Sequence, residues 1–151
     1  LEEQYRSGDY EPVTINQAVE VCKELLYFFE KKKIKVIRIG LQNTDLISNP
    51  ENVESEVAAG PYHEAFGQLV EDSIWYDKIL NEIKKINTKV IEVQIEVNPV
   101  NVSNVVGHKK GNIEKLKEIY DLSVKVKQNK EIKPGKFNLT ILKTYKDFLD
   151  E

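Results

Sequence analysis

Apolar residues recur at helical spacing near the start of the chain. Ile15, Ala18, Val19, Cys22, Leu26 and Phe29 fall on one face, which predicts a helix over 14–32. Thr14 and Gln17 fit a capping box, in which each side chain satisfies a free backbone N–H. Lys31, Lys32 and Lys33 close the helix, where cations suit its dipole. The pattern then changes. Ile34 to Leu41 reads IKVIRIGL, nearly continuous in apolar, β-branched character, as in a buried strand of a parallel sheet. A capped helix running straight into such a strand is the closing part of a βα repeat. No preceding strand is legible, so its neighbours are expected to be missing.

Asn43 to Gly60 is polar and rich in turn signals, and it reads as a long loop. Helical spacing resumes over Glu64–Ile86, with Asp72 and Ser73 as an expected break between two helices. From Val90 the period becomes two. Ile91, Val93, Ile95 and Val97 alternate with Glu92, Gln94 and Glu96, which predicts a strand with one wet face. Short helices are expected over Val100–Val106 and Asn112–Tyr120. Strands follow around Leu122–Lys127 and Phe137–Ile141, and a terminal helix over Tyr145–Leu149.

The charge is unevenly spread. Residues 1–86 hold ten basic and sixteen acidic side chains, and residues 87–151 hold twelve and nine. A net charge of −3 therefore hides a mildly basic C-terminal part. Cys22 is the sole cysteine, so neither a disulfide framework nor a cysteine metal site can be built. Apolar runs are too short to span a bilayer, and the polar, acidic start is no secretory signal. A cytoplasmic location is expected. The chain begins with Leu1 and has no methionine, which suggests a piece of a longer protein.

Three segments are distinctive: IKVIRIGLQNTD, VAAGPYHEAFGQLVE and IWYD. Together with LEEQYRSGDYEPVTINQAVEVCKELL they resemble the C-terminal part of bacterial radical S-adenosylmethionine (SAM) proteins related to the elongator catalytic subunit. Such proteins often carry the label oxygen-independent coproporphyrinogen III oxidase. The resemblance covers residues 1–80 at least. It implies a partial (βα) barrel around a [4Fe–4S] cluster and SAM, with the cluster held by a CxxxCxxC motif that this chain lacks. The chain alone would bind no cofactor and be inactive. The missing N-terminal barrel would be its partner.

The resemblance also implies roles for particular residues. Arg38, Gly40 and Gln42 match the end of the last barrel strand, beside the adenine of SAM. His63 and Glu64, in the GPYHE signature, would sit at the barrel mouth as acid–base or binding groups. Read without the family, Gly40 is a glycine ending a strand, and Gly60-Pro61 is a turn with Glu64 near a helix start.

Between the two short predicted helices lies VVGHKKGNIEKL. The order strand, helix, basic turn, helix, strand, strand resembles the KH domain, whose GxxG loop clamps the nucleic-acid backbone. Gly107, His108, Lys109, Lys110 and Gly111 would face RNA. Glycine allows close backbone approach, the next helix offers free N–H groups, and lysine supplies charge. Here the glycines stand one residue wider, with Lys110 in the second glycine's place. Lys125 and Lys127 share one strand face and would extend the basic surface. The plain alternative is a glycine helix cap followed by a solvated lysine pair.

The expected fold is mixed α/β. Residues 1–42 close a barrel, 43–88 carry a loop and helices, and 89–151 form a small KH-like β-α-α-β-β region. The expected function is the C-terminal part of a radical SAM enzyme that closes the barrel and helps bind transfer RNA for base modification. A radical SAM enzyme acting on a small molecule such as coproporphyrinogen III, or a free-standing RNA-binding module, are the alternatives.

Overall fold

The computed structural model describes residues 2–41 and 60–145. Gln42, residues 43–59 of the loop expected over Asn43–Gly60, and the terminal helix expected over Tyr145–Leu149 apart from Tyr145 lie outside the described residues. The chain divides into two compact units, Leu1–Val70 and Glu71–Glu151.

The first unit holds helices α1 (Glu2–Ser7) and α2 (Ile15–Lys31). At α2 the expected capping box is present. The Thr14 hydroxyl accepts from the Gln17 N–H at 3.2 Å, and the Gln17 side chain accepts from the Thr14 N–H at 2.8 Å. The helix ends in a paired-bond turn: the Lys33 N–H donates to the Glu30 carbonyl and the Ile34 N–H to that of Phe29, each at 2.9 Å. Lys33 occupies the left-handed position usually given to glycine, with φ +57°. Ile15, Ala18, Val19, Cys22, Leu26 and Phe29 form the less exposed face of α2, as their spacing predicts.

The expected strand over Ile34–Leu41 is not formed among the described residues. A strand exists only through a ladder of inter-strand hydrogen bonds, and this segment lies in none of the described pairings. Ile34, Ile37 and Leu41 stand in solvent, with Ile37 91% and Leu41 73% exposed, while Val36 and Ile39 are part-buried.

Helix α3 (Phe66–Lys84) runs without a break at Asp72-Ser73. Asp72 is buried and hydrogen-bonded, so it serves as an inward-facing polar residue of a continuous helix. In the second unit the sheet order is β2-β1-β3. Strand β1 (Val90–Val97) runs parallel to β2 (Ser123–Gln128) and antiparallel to β3 (Phe137–Thr144). Between β1 and β2 lie a 3₁₀ turn (Pro99–Asn101), α4 (Val102–Val106), a second 3₁₀ turn (His108–Lys110) and α5 (Gly111–Tyr120). This is the mixed α/β arrangement expected.

Val93, Ile95 and Val97 are fully buried on one face of β1. They pack in one cluster with Trp75 and Ile79 of α3, Val105 of α4 and Leu116 of α5. The ladder to β3 shifts register between Val90 and Val93, so Val90 is buried although it falls outside the odd-numbered apolar alternation. The long connection after β2 is tied down by asparagines. The Asn98 side-chain amide donates to the Ile132 carbonyl at 2.7 Å, and the Asn101 side-chain carbonyl accepts from the Gly135 N–H at 2.8 Å.

Two truncations separate core from surface. Ile95→Ala is expected to cost about 2–5 kcal/mol of stability, as for other buried Ile→Ala changes. Ile37→Ala in the same chain should change it by less than about 0.5 kcal/mol. Urea titration followed by far-ultraviolet circular dichroism checks both; similar losses for the two would contradict this packing.

Candidate functional site

Two places gather the residues that sequence reasoning singles out, one in each unit. In the first unit, a cavity of about 280 Å³ is lined by Ala18 and Cys22 of α2, Gly40, Leu41, Gly60 to His63 and Phe66. Gly40 and His63, expected on separate grounds, thus face one space. The His63 Nδ1 accepts the Ala65 N–H at 3.0 Å, which orients the imidazole beside the start of α3. Gly40 has φ +81°, and a Cβ there would meet the Phe66 ring at 3.2 Å. The close approach that glycine allows is therefore taken up by Phe66. Arg38 lines a neighbouring, smaller cavity with Leu25, Leu26 and Phe29. Glu64 is exposed next to this turn and is not among the residues lining either cavity.

Cys22 is the only thiol of the chain and is partly buried on α2. An iron–sulfur cluster is held by several cysteine thiolates, so this donor set does not fit one. Among the described residues no group of three His, Cys, Asp or Glu side chains is placed to hold a metal ion.

The second place is the basic turn between α4 and α5. Gly107 adopts φ +79°, and a Cβ there would lie 2.8 Å from the Asn112 backbone nitrogen. No other residue fits without a shift. Lys109 and Lys110 follow with φ +51° and +64°, two successive non-glycine residues in the left-handed region. Their side chains are exposed. No side chain caps the N-terminus of α5, which begins directly after them.

A buried polar node holds this turn. Asp72 of α3 accepts the His108 N–H at 2.7 Å through its carboxylate. The Asn112 amide donates to the backbone carbonyls of Asp72 at 2.8 Å and Asn104 at 2.9 Å. The Asn104 amide donates to Glu71 at 3.3 Å. Asp72, Asn104 and Asn112 are all buried. Sequence reasoning missed them. The signal was present in Asp72, an acidic residue inside a helical apolar pattern, and was read as a break.

Lys125 and Lys127 project from β2 as expected, but each meets a carboxylate of β1. Lys125 lies 2.7 Å from Glu92 and Lys127 lies 2.9 Å from Glu96. Parallel register puts Glu96 directly opposite Lys127, and Lys125, opposite Gln94, reaches diagonally to Glu92 two residues along β1. Hydrogen bonds from Lys127 and Asn129 hold the Glu96 carboxyl below the ordinary carboxylate value. On α3, burial pushes the Tyr76 hydroxyl up, reinforced by Tyr120 and Asp77, and the Lys115 ammonium lies 5.8 Å from its ring. The polar face of the sheet therefore pairs Lys125 and Lys127 with carboxylates, whereas Lys109 and Lys110 of the turn are exposed.

A family model described as the radical SAM C-terminal domain matches residues 1–76. No curated protein and no solved structure matches the chain. Among the described residues no helix is long and apolar enough to cross a membrane.

Gly107→Ala is expected to lower stability by at least about 1 kcal/mol, because the added methyl meets backbone at a left-handed position. Asp72→Ala should cost about 1–3 kcal/mol by leaving the His108 N–H without its acceptor. Denaturant titration checks both. Carbon-detected titration of Glu96 should give a midpoint below that of a free glutamate, rising toward it in Lys127→Ala. The sign follows from the lowered value: any stability this pair adds is present above the ordinary carboxylate range and lost as pH falls through the Glu96 midpoint.

Proposed function

The chain belongs to the radical SAM C-terminal domain family, and from that premise we propose that it is the C-terminal part of a radical SAM enzyme that modifies transfer RNA. In this reading the first unit closes the enzyme's barrel and the second grips the RNA backbone. The cluster and SAM act from the barrel, because the donor set here does not suit a cluster. SAM with its cluster supplies the radical chemistry when bound, and the residues of this chain position and enclose.

The observation that carries the barrel role is Ile34–Leu41. It is largely apolar, with only Lys35 and Arg38 charged, it belongs to none of the described strand pairings, and its Ile37 is almost wholly exposed. A segment of that composition is suited to lie between two parallel strands under helices. The occupant of its edge would be a barrel strand of the N-terminal catalytic part. Arg38, Gly40 and Gln42 would then stand at the strand end beside the SAM adenine, with Phe66 backing Gly40. His63 and Glu64 would lie at the mouth.

The RNA role rests on the basic turn. Its left-handed backbone presents Lys109 and Lys110 ahead of the N-terminus of α5, where N–H groups and the helix dipole favour phosphate. His108 and Gly111 flank them. Lys125 and Lys127 contribute less, since Glu92 and Glu96 balance their charge.

Transfer-RNA binding by the chain across a salt series tests the grip. The expected result is saturable binding that weakens with salt. Lys109→Asn/Lys110→Asn should bind more weakly and flatten the salt slope by about 2. Asparagine tolerates the left-handed region, so this variant should be at least as stable as the parent. Equal binding by the variant, or none at low salt, would return the lysines to the solvated surface. A small substrate such as coproporphyrinogen III would then be the better reading. The enzyme half would be overturned if the enzyme containing this chain took up no iron and sulfide on anaerobic reconstitution.

A further inference from the structure

We propose that a groove between α3 and the outer edge of β3 takes an extended, acidic peptide as an additional strand. One wall is a single face of α3 and its continuation: Lys78, Asn81, Glu82, Lys85 and Ile86. The spacing of three and four residues places these side chains on one line. The other wall is the unbroken run Gly135 to Ile141. Side chains of consecutive strand residues point to opposite faces, so a wall made of every residue in turn is a wall of backbone.

That backbone is available. With the order β2-β1-β3, β3 pairs with β1 on one side and has no partner strand on the other among the described residues. An edge strand presents a row of N–H and C=O groups that a further strand can join. A groove between such an edge and a helix lets the incoming backbone pair with the strand while its side chains reach the helix.

The charge of the walls selects the occupant. Lys78, Lys85 and Lys136 face the groove against one carboxylate, Glu82. Glu82 pairs with Lys85 at 2.6 Å, but both are exposed and the pair is screened by water. The Lys78 ammonium lies over the Trp75 ring, 5.4 Å from its centre. Seven residues separate Lys78 from Lys85, a rise of about 10 Å along a helix. Carboxylates two or four positions apart on an extended peptide are separated by about 7 or 13 Å, within reach of two flexible lysines. Acidic side chains at alternate positions therefore suit the site. This surface is distinct from the basic turn, and the inference stands whether or not the turn binds RNA.

The test uses the 151-residue chain and a fluorescein-labelled decapeptide of alternating valine and glutamate, followed by anisotropy at low ionic strength. Saturable binding is expected. It should weaken at least tenfold in Lys78→Glu/Lys85→Glu, whose exposed positions leave the fold intact by circular dichroism. It should also weaken at least tenfold when every peptide nitrogen is methylated, which keeps the charge and removes strand pairing. Lys109→Asn/Lys110→Asn should leave it unchanged, so this result is separable from that of the RNA grip. Three results would overturn the proposal: no binding, equal binding by the methylated peptide, or displacement by a single-stranded oligonucleotide at lower concentration than by unlabelled peptide.

Discussion

Strand β1 pairs on both sides, and the second unit is organised by that demand. Its inner residues, Val93, Ile95 and Val97, are removed from water entirely, and α3, α4 and α5 all supply the apolar side chains that cover them. Because β2 runs parallel to β1, the chain must return across one face of the sheet before β2 can begin. That return is made by two short helices, and two short helices need a tight joint. The basic turn is the joint. Its position is a consequence of strand pairing, and its lysines sit where the chain is forced to bend outward.

The joint itself is held by polar groups away from water. Burying a carboxylate is costly unless its oxygens are hydrogen-bonded. Asp72 meets that condition by accepting the His108 N–H, and Asn112 ties the backbone of α3 to that of α4. No buried side-chain polar atom is left without a partner among the described residues. The left-handed turn is thus over-determined by contacts on its inner side while its outer side carries the charge. Such division leaves the turn fixed and cationic at once, since the groups that fix it are not the exposed lysines.

In the first unit the balance is reversed. Helix α2 is well capped and turns one moderately buried face inward, yet the segment after it exposes isoleucine and leucine to water. The hydrophobic effect disfavours such exposure in an isolated domain. Ile34, Ile37 and Leu41 bear that exposure, while Val36 and Ile39 of the same segment are part-buried. The small cavity bounded by Gly40, His63 and Phe66 lies at the end of that segment.

Local patterns were readable from residues alone. Helical spacing and the Thr14–Gln17 pair located α2, alternation located β1, and glycine-bounded charge located the turn, because each depends on neighbours within a few positions. The resemblance carried by the GPYHEAF stretch led to the family that residues 1–76 match. Other features were decided only by residues distant in sequence. Asp72 looked like a helix break until α4 and α5 brought His108 and Asn112 to it. Lys125 and Lys127 looked like free cations until parallel register set them beside Glu92 and Glu96. Ile34–Leu41 has the composition of a strand, but composition supplies no hydrogen-bond partner, and strand structure exists only between two segments. Periodicity is a property of one chain segment; pairing, burial and charge balance belong to two, and these the tertiary structure decided.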